Sequence, residues 1–501
     1  MEEGRWKKKQ SKCKMKNGGN MNDQYKDKGV APNFLRLAVC ALRSALRAPL
    51  FHLLKRAHGS CFHLPSSIFH LPSPPRALRS ALCALSLALS LAVLPAARAD
   101  VTEQLSKLHP YLTLQGLYDD NLFLTQDNKT SDFITTVTPG LKYKNEGPAH
   151  KFDLGFDLGM NFYASHSDLN YISYNGRLDT FYSFTPRWTI RLNETLTRSR
   201  ENLQSYSLSS PGGPQTYTAS STGQGLYLRN IFQPSLEHKF GRENVAALSY
   251  SNMIYRTEGS TSSGDSTENA ITPRLAYWFN IRNGIALNYT YSNATFENQP
   301  DWVGSSFGGR YLYRFNPRTT AFGDYRYLIR DFEFPGRDYS VHSPSLGVEH
   351  AFSPSLSGKA QFGWFWQLVD AGPSFNGPTY NLSVTQRVQR TSYTLAFEGG
   401  YREAYFTSDN LGFSRYHQVS ATVTHQLRER LSVGLTGSLS RDEYEQPSRM
   451  DYLYGVSGNL SYQPLKWLTA SLEAGNYGRE SELNGNSYRD NRVMLKLTAE
   501  Y

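Results

Sequence analysis

Four arginines, Arg310, Arg314, Arg326 and Arg330, sit at even spacings in two runs rich in tyrosine. Arg310 and Arg314 alternate with Tyr311, Tyr313 and Phe315, and Arg326 and Arg330 alternate with Tyr325, Tyr327 and Ile329. In an extended chain a period of two places the arginines on one face and the aromatics on the other. The two runs follow one another, so the four guanidinium groups are expected close together on one wall. Arg177, Arg191, Arg274, Arg387 and Arg402 have the same parity in their own runs. After residue 99 arginine outnumbers lysine 27 to 9. The guanidinium fork binds carboxylates, sulfates and phosphates through two parallel hydrogen bonds. Two chemistries fit this pattern. One is a binding pathway for an anionic solute, with a uronic-acid polymer as one candidate. The other is internal pairing with Asp153, Asp157, Asp179, Asp324, Glu398 and Glu473, which a polar interior needs merely to satisfy itself.

The remaining constellations are weaker. Ser165-His-Ser-Asp168 brings the three residue types of a hydrolytic triad together. Neighbours in sequence cannot align as nucleophile, base and orienter, so a solvated loop is the expectation there. Asp119 and Asp120 offer two carboxylates to a cation such as calcium, fewer than such a site requires. No metal-ligand cluster, nucleotide loop or heme motif is present, so the expectation is a non-enzyme with no catalytic residue, metal or cofactor.

The elements that would position the arginines are strands. Phe152, Leu154, Phe156, Leu158, Met160 and Phe162 alternate with Asp153, Gly155, Asp157, Gly159 and Asn161. Leu431 to Leu439 and Tyr452 to Tyr462 repeat the pattern with glycine, serine and threonine on the second face. Short turns punctuate it at Glu146–Ala149, Thr185–Arg187, Gly241–Asn244, Arg282–Gly284, Asn316–Arg318, Ser353–Ser355, Gln389–Thr391, Arg428–Arg430 and Pro464–Lys466. Most intervals fit two long strands and a loop. Nine short turns separate ten hairpins, which predicts twenty antiparallel strands, eighteen being the nearest alternative. The longest interval holds residues 201–224, rich in Ser, Thr, Gly and Pro, which read as a surface loop.

Composition says what encloses those strands. The 501 residues include 33 Tyr, 27 Phe and 39 Gly, yet only 39% are hydrophobic. After residue 99 no segment is apolar over the ~20 residues a membrane-spanning helix needs. A chain too polar for membrane helices and very aromatic for a soluble protein fits an all-β transmembrane barrel, whose residues face lipid and lumen alternately between aromatic girdles. The formal charge of +10 is concentrated at one end. Residues 1–99 carry 17 basic and 4 acidic residues, and the remainder is slightly acidic at −3. Nucleic acid is therefore not an expected partner.

The leader has its own reading. Arg76 and Arg79 precede an apolar run from Ser80 to Leu94, followed by small residues at Ala97 and Ala99. This predicts a signal peptide over 76–99 with cleavage after Ala99. Residues 1–75 read as a disordered extension or a start assigned too far upstream, and 100–501 as the barrel. All four cysteines, at 13, 40, 61 and 83, lie in the leader, so no disulfide framework is expected beyond it.

Two segments carry a family resemblance. Tyr118-Asp-Asp-Asn-Leu-Phe123 opens the barrel, and Ser131-Asp-Phe-Ile to Pro139-Gly140 follows. These resemble the putative β-barrel porin type 2 family, specifically over residues 109–190 and by hairpin rhythm beyond. The final strand, with Val493, Leu495, Leu497 and Ala499 on one face before the terminal Tyr501, is similar to the targeting signal of outer-membrane barrels. The resemblance implies a cell outer-membrane location in a Gram-negative bacterium, often beside exopolysaccharide systems. The functional expectation is a porin-like channel or the outer-membrane step of exopolysaccharide export, with an Arg-rich lumen. The alternatives are a non-conducting barrel displaying surface loops, and an outer-membrane hydrolase. Expected partners are outer-membrane lipid and lipopolysaccharide, the barrel-assembly machinery, a periplasmic polysaccharide-export protein and an anionic polymer.

Overall fold

The computed structural model describes residues 107–200, 225–258, 265–334, 337–372, 374–405, 412–445 and 448–501. The expected signal peptide with Ala97 and Ala99, the extension before it, and the expected loop 201–224 lie outside these residues.

Among the described residues, twenty strands alternate with nine tight turns and the longer loops. They are β1 (Leu108–Asp119), β2 (Asp132–Gly147), β3 (His150–Tyr163), β4 (Tyr171–Ser183), β5 (Trp188–Ser199), β6 (Leu226–Lys239) and β7 (Val245–Glu258). Next come β8 (Ser266–Trp278), β9 (Asn283–Phe296), β10 (Trp302–Asn316), β11 (Thr319–Phe332), β12 (Tyr339–Ser353) and β13 (Leu356–Val369). The last are β14 (Asn376–Val388), β15 (Thr391–Ala404), β16 (Gly412–Arg428), β17 (Leu431–Glu445), β18 (Ser448–Leu465), β19 (Leu468–Ser481) and β20 (Tyr488–Glu500). Each pairs antiparallel with the next, and β20 closes onto β1 through nine residue pairs from Tyr111↔Glu500 to Asp119↔Arg492. Closure removes both sheet edges, so the ladder runs around the whole wall, as a bilayer demands, and opens only between the loop ends of β14 and β15.

The alternation seen in sequence sets the two faces. On β3, Phe156, Leu158 and Phe162 are exposed on the outside, while Asn161 is buried on the inside. On β20, Val493, Leu495 and Leu497 point outward. Strands of 12 to 18 residues exceed the 9–11 or so that a tilted strand needs to cross the hydrocarbon. At the tight-turn end the outer wall carries part of an aromatic girdle: Phe184, Trp188, His238, Phe240, Tyr277 and Phe279 contact one another in sequence around the rim. Such rings belong at a membrane interface, where an apolar body and a polar edge are both accommodated.

A barrel of this size encloses more space than its wall side chains fill, since barrels of about 16–18 strands already hold an aqueous channel. Part of that space is taken by the end of the β15–β16 hairpin. Pairing of β14 with β15 stops at Tyr380↔Gly399, whereas β15 and β16 remain paired as far as Ala404↔Gly412. The wall therefore opens along a seam between β14 and β15, and the end of β15 leans into the barrel while β16 stays paired with β17 as far as Ser414↔Tyr444. Tyr401 and Phe413 then pack against Phe365 of β13 and Tyr339 of β12, both on the inner wall.

Candidate functional site

The register confirms that the arginines face inward. Arg310, Arg314, Arg326 and Arg330 share the inner face of β10 and β11 with buried Phe322 and Leu328, opposite outward Tyr311 and Tyr325. Their expected clustering is corrected by the pairing. Arg314 lies across from Thr320, Arg310 from Asp324, Arg326 from Gly308 and Arg330 from Gly304. Antiparallel register runs the second strand backwards, so the four form a column along the barrel axis.

Each member of the column has its own partner. Arg314, at the tight-turn end, donates from Nη2 to Glu243 at 3.0 Å and lies 4.0 Å over the Trp278 ring. Glu243 sits in the turn between β6 and β7, and this hydrogen bond is the largest influence holding its carboxyl below the usual range. Arg310 makes a two-pronged contact with Asp324, Nε to Oδ1 at 2.6 Å and Nη2 to Oδ2 at 2.8 Å. Arg326 hydrogen-bonds Tyr401 on the inturned hairpin. Arg330, fully buried, grips Glu403 of the same hairpin through Nε at 2.9 Å and Nη2 at 2.8 Å. Its guanidinium lies 4.3 Å over Trp302. Along the wall Arg330 and Glu403 stand four strands apart, ~19 Å at the usual strand spacing, too far for two side chains to bridge. The contact exists because the end of β15 parts from β14 and leans into the lumen.

The other predicted arginines also point inward. Arg402 leaves the opposite face of the hairpin, reaching Asp442 on β17 at 2.9 Å and Gln418, and covers the Tyr416 ring at 3.6 Å. Arg191 stands 3.9 Å from Glu237 and stacks on Phe181. Arg177, Arg274 and Arg387 face the lumen on β4, β8 and β14 without joining this group. Of the expected carboxylate partners, Asp324 pairs with Arg310 and Asp179 with Lys151, while Asp157 accepts from Tyr111 and Glu398 from Asn381.

A belt of buried charge continues around the loop end. Asp451 accepts from Arg479 and Ser481 and lies 3.3 Å from Arg449. Arg492 stands between Asp490 at 2.6 Å and Asp119 at 3.2 Å. Asp119, Asp120 and Asp490 approach closely enough to suggest a cation site, but Arg492 already supplies the positive charge and Asn491 binds Asp120. The Ser165–Asp168 segment lies in the loop after β3. There His166 Nδ1 contacts Asp132 at 2.8 Å, and Ser167–Leu169 form a single 3-10 turn. The triad types are not assembled with one another.

Below the hairpin, the lumen keeps a cavity of about 450 Å³. Its basic lining is Arg310, Arg326, Lys359 and Arg402; its acidic lining is Asp324, Glu398 and Glu403. Gln361, Asn381, Ser343 and Ser345 add neutral hydrogen-bonding groups, and Tyr401 and Tyr416 add aromatic ones. Lys359 is the notable addition to the sequence reading. It lies 5.8 Å from the Phe322 ring centre and, among the described residues, has no ion-pair partner. Trp302, Tyr339 and Glu403 were also missed. The Gly399-Gly400 pair was the available signal, because paired glycines interrupt a strand's alternation and mark a bend.

Residues 301–501 match the family model described as putative beta-barrel porin 2. This is the family suspected from the sequence. The match covers β10 to β20, and so falls on the arginine column and the inturned hairpin rather than on the opening segment at Tyr118–Phe123. No curated protein matches the chain. Among solved structures, the FrpB iron transporter from Neisseria meningitidis is similar with a TM-score of 0.50 and 8% identity, covering 80% of this chain and 84% of that one. The siderophore receptor PirA from Pseudomonas aeruginosa has a TM-score of 0.46 and 10% identity, covering 79% and 80%. OccAB4 from Acinetobacter baumannii has 0.38 and 11%, covering 80% of this chain and all of its own. At 8% identity the likeness to the FrpB transporter concerns the fold. The protein is a closed antiparallel β-barrel, with twenty strands among the described residues, whose last eleven strands are similar to the putative beta-barrel porin 2 family.

Proposed function

We propose that this barrel is an outer-membrane passage for an anionic saccharide, serving as the outermost step of exopolysaccharide export in a Gram-negative cell. The observation that carries the reading is the luminal cavity, where Arg310, Arg326, Lys359 and Arg402 meet neutral amides, hydroxyls and tyrosine rings. Sugars are bound by that combination: amides and hydroxyls address ring hydroxyls, aromatic faces cover ring carbons, and guanidinium groups take carboxylates. The uncommitted Lys359 ammonium supplies an anion preference that internally paired arginines alone would not. On this reading the longer loops face outside and the tight turns face the periplasm. The barrel would be inserted by the assembly machinery, sit among lipid and lipopolysaccharide, and receive polymer from a periplasmic export protein.

A second reading has one observation behind it. The charge belt and the inturned hairpin narrow the loop end, which suits a barrel that does not conduct and serves as a surface structure.

Planar-bilayer recording separates the two. The passage reading expects current steps that millimolar oligogalacturonate blocks and a neutral oligosaccharide of equal length does not, with weaker block in Lys359→Gln and Arg310→Gln. A folded barrel that stays silent at every voltage would move the weight to the surface role.

A further inference from the structure

Arg330, Tyr339 and Trp302 together form a complete receptor for a carboxylate. The guanidinium offers Nε and Nη2 in parallel, the Tyr339 hydroxyl donates to the same Oε1 at 2.6 Å, and Trp302 backs the cation at 4.3 Å. Arg330 and Glu403 are 1% and 8% exposed, so the charge is desolvated and the pairing strong. The carboxylate in the receptor is the chain's own. It is carried by a hairpin end that has given up its pairing with β14 beyond Gly399 and is held in the wall through β17 alone.

We propose that Glu403 is an internal stand-in for an anionic solute, and that the β15–β16 hairpin end is a latch which a polyanion releases by taking Glu403's place on Arg330. This rests on the anionic-saccharide reading of the cavity. Arg326 holds Tyr401 of the same hairpin, two positions before Glu403, so a polymer that meets Arg326 and Arg330 together breaks both holds at once. A single acidic sugar does not suffice. A tethered group competes at an effective concentration on the order of millimolar, and a solute with several neighbouring carboxylates exceeds that where a monomer does not. On the far side β16 stays paired with β17 as far as Ser414↔Tyr444 and Arg402 holds Asp442, so β17 is the hinge about which the hairpin end withdraws from β11.

The test reads the latch without reading current. Ser343 lines the cavity beneath the hairpin, and a Ser343→Cys variant of the full chain is labelled in intact cells with a PEG-linked maleimide added outside. The parent chain, whose own cysteines all precede residue 84, supplies the background. The latch predicts slow labelling that rises at least tenfold with Glu403→Gln. It predicts a similar rise with the Arg330→Met, Glu403→Met pair, which leaves no unpaired buried charge. Oligogalacturonate, but not galacturonate monomer, should speed labelling of the otherwise unaltered chain and add nothing to Glu403→Gln. Equal labelling rates in all folded variants would overturn the latch, as would equal effects of monomer and oligomer. Should labelling respond while bilayers stay silent, the latch stands and the passage reading falls; the converse pattern separates them the other way.

Discussion

Gly304 on β10 and Arg330 on β11 are paired across the sheet, and a Cβ on Gly304 would stand 2.1 Å from Arg330 Nη1. The missing side chain is what lets the guanidinium lie flat against β10, beneath Trp302 and level with Glu403. A guanidinium is normally the free end of a flexible side chain, and it would swing away from an added methyl. Here both of its prongs are engaged, so displacement breaks the contact with Glu403. Gly304→Ala is expected to destabilise the barrel by about 1–3 kcal/mol. Urea unfolding in detergent, followed by loss of heat-modifiable migration, measures it.

Asp451 has the largest expected effect on stability. Its fully buried carboxylate takes hydrogen bonds from Arg479 and Ser481 and neutralises Arg449 nearby. Asp451→Asn leaves two buried guanidinium groups with a neutral amide, a change worth about 3–5 kcal/mol. Reduced folding yield and a lower urea midpoint are expected. An unchanged midpoint would mean that solvent reaches the belt.

The Arg310–Asp324 pair tests which charges a solute feels. Asp324→Asn frees the Arg310 fork toward the cavity and should raise the chloride-to-potassium permeability ratio by roughly twofold, and Arg310→Gln should lower it to a similar degree. Reversal potentials in a potassium chloride gradient report both. Shifts of the same sign would show that neither group borders the ion path.

A pH effect is expected at the tight-turn end. Arg314's hydrogen bond holds the Glu243 carboxyl below its ordinary value, so the folded state binds that proton less readily than the unfolded chain. The resulting stabilisation is present above the unfolded carboxylate value and is lost as pH falls through the lower folded one. Thermal midpoints of the parent and Glu243→Gln should differ at neutral pH, with the parent higher, and converge in acid below about pH 4. The difference should be small, since this turn is exposed and solvent screens the pair.

Much of the architecture is legible in the sequence. Strand number, the nine tight turns and the inward parity of Arg177, Arg191, Arg274, Arg310, Arg314, Arg326, Arg330, Arg387 and Arg402 follow from period-two alternation and turn chemistry. Both are local properties: side-chain direction in a strand is set by the residue's place in the pleat, and a turn by the few residues within it. The expected convergence of four arginines failed for a reason that alternation cannot express. Parity assigns a face, but height along the barrel depends on register, and antiparallel pairing carried Arg330 and Arg314 to opposite ends of the column.

Partnership was decided by tertiary structure alone. Arg330 and Glu403 are 73 residues apart in sequence, and nothing in either strand's pattern relates them. They meet because the end of β15 parts from β14 after Gly399 and leans into the lumen, bringing an odd-numbered residue that alternation assigns to the lipid face into the interior. Sequence alone indicated a barrel of about twenty strands with arginines and carboxylates on its inner wall. Only the closed wall and its inturned hairpin decided which of those charges are neutralised and which, like Lys359, still face the cavity, because ion pairing depends on distance in space and not on distance along the chain.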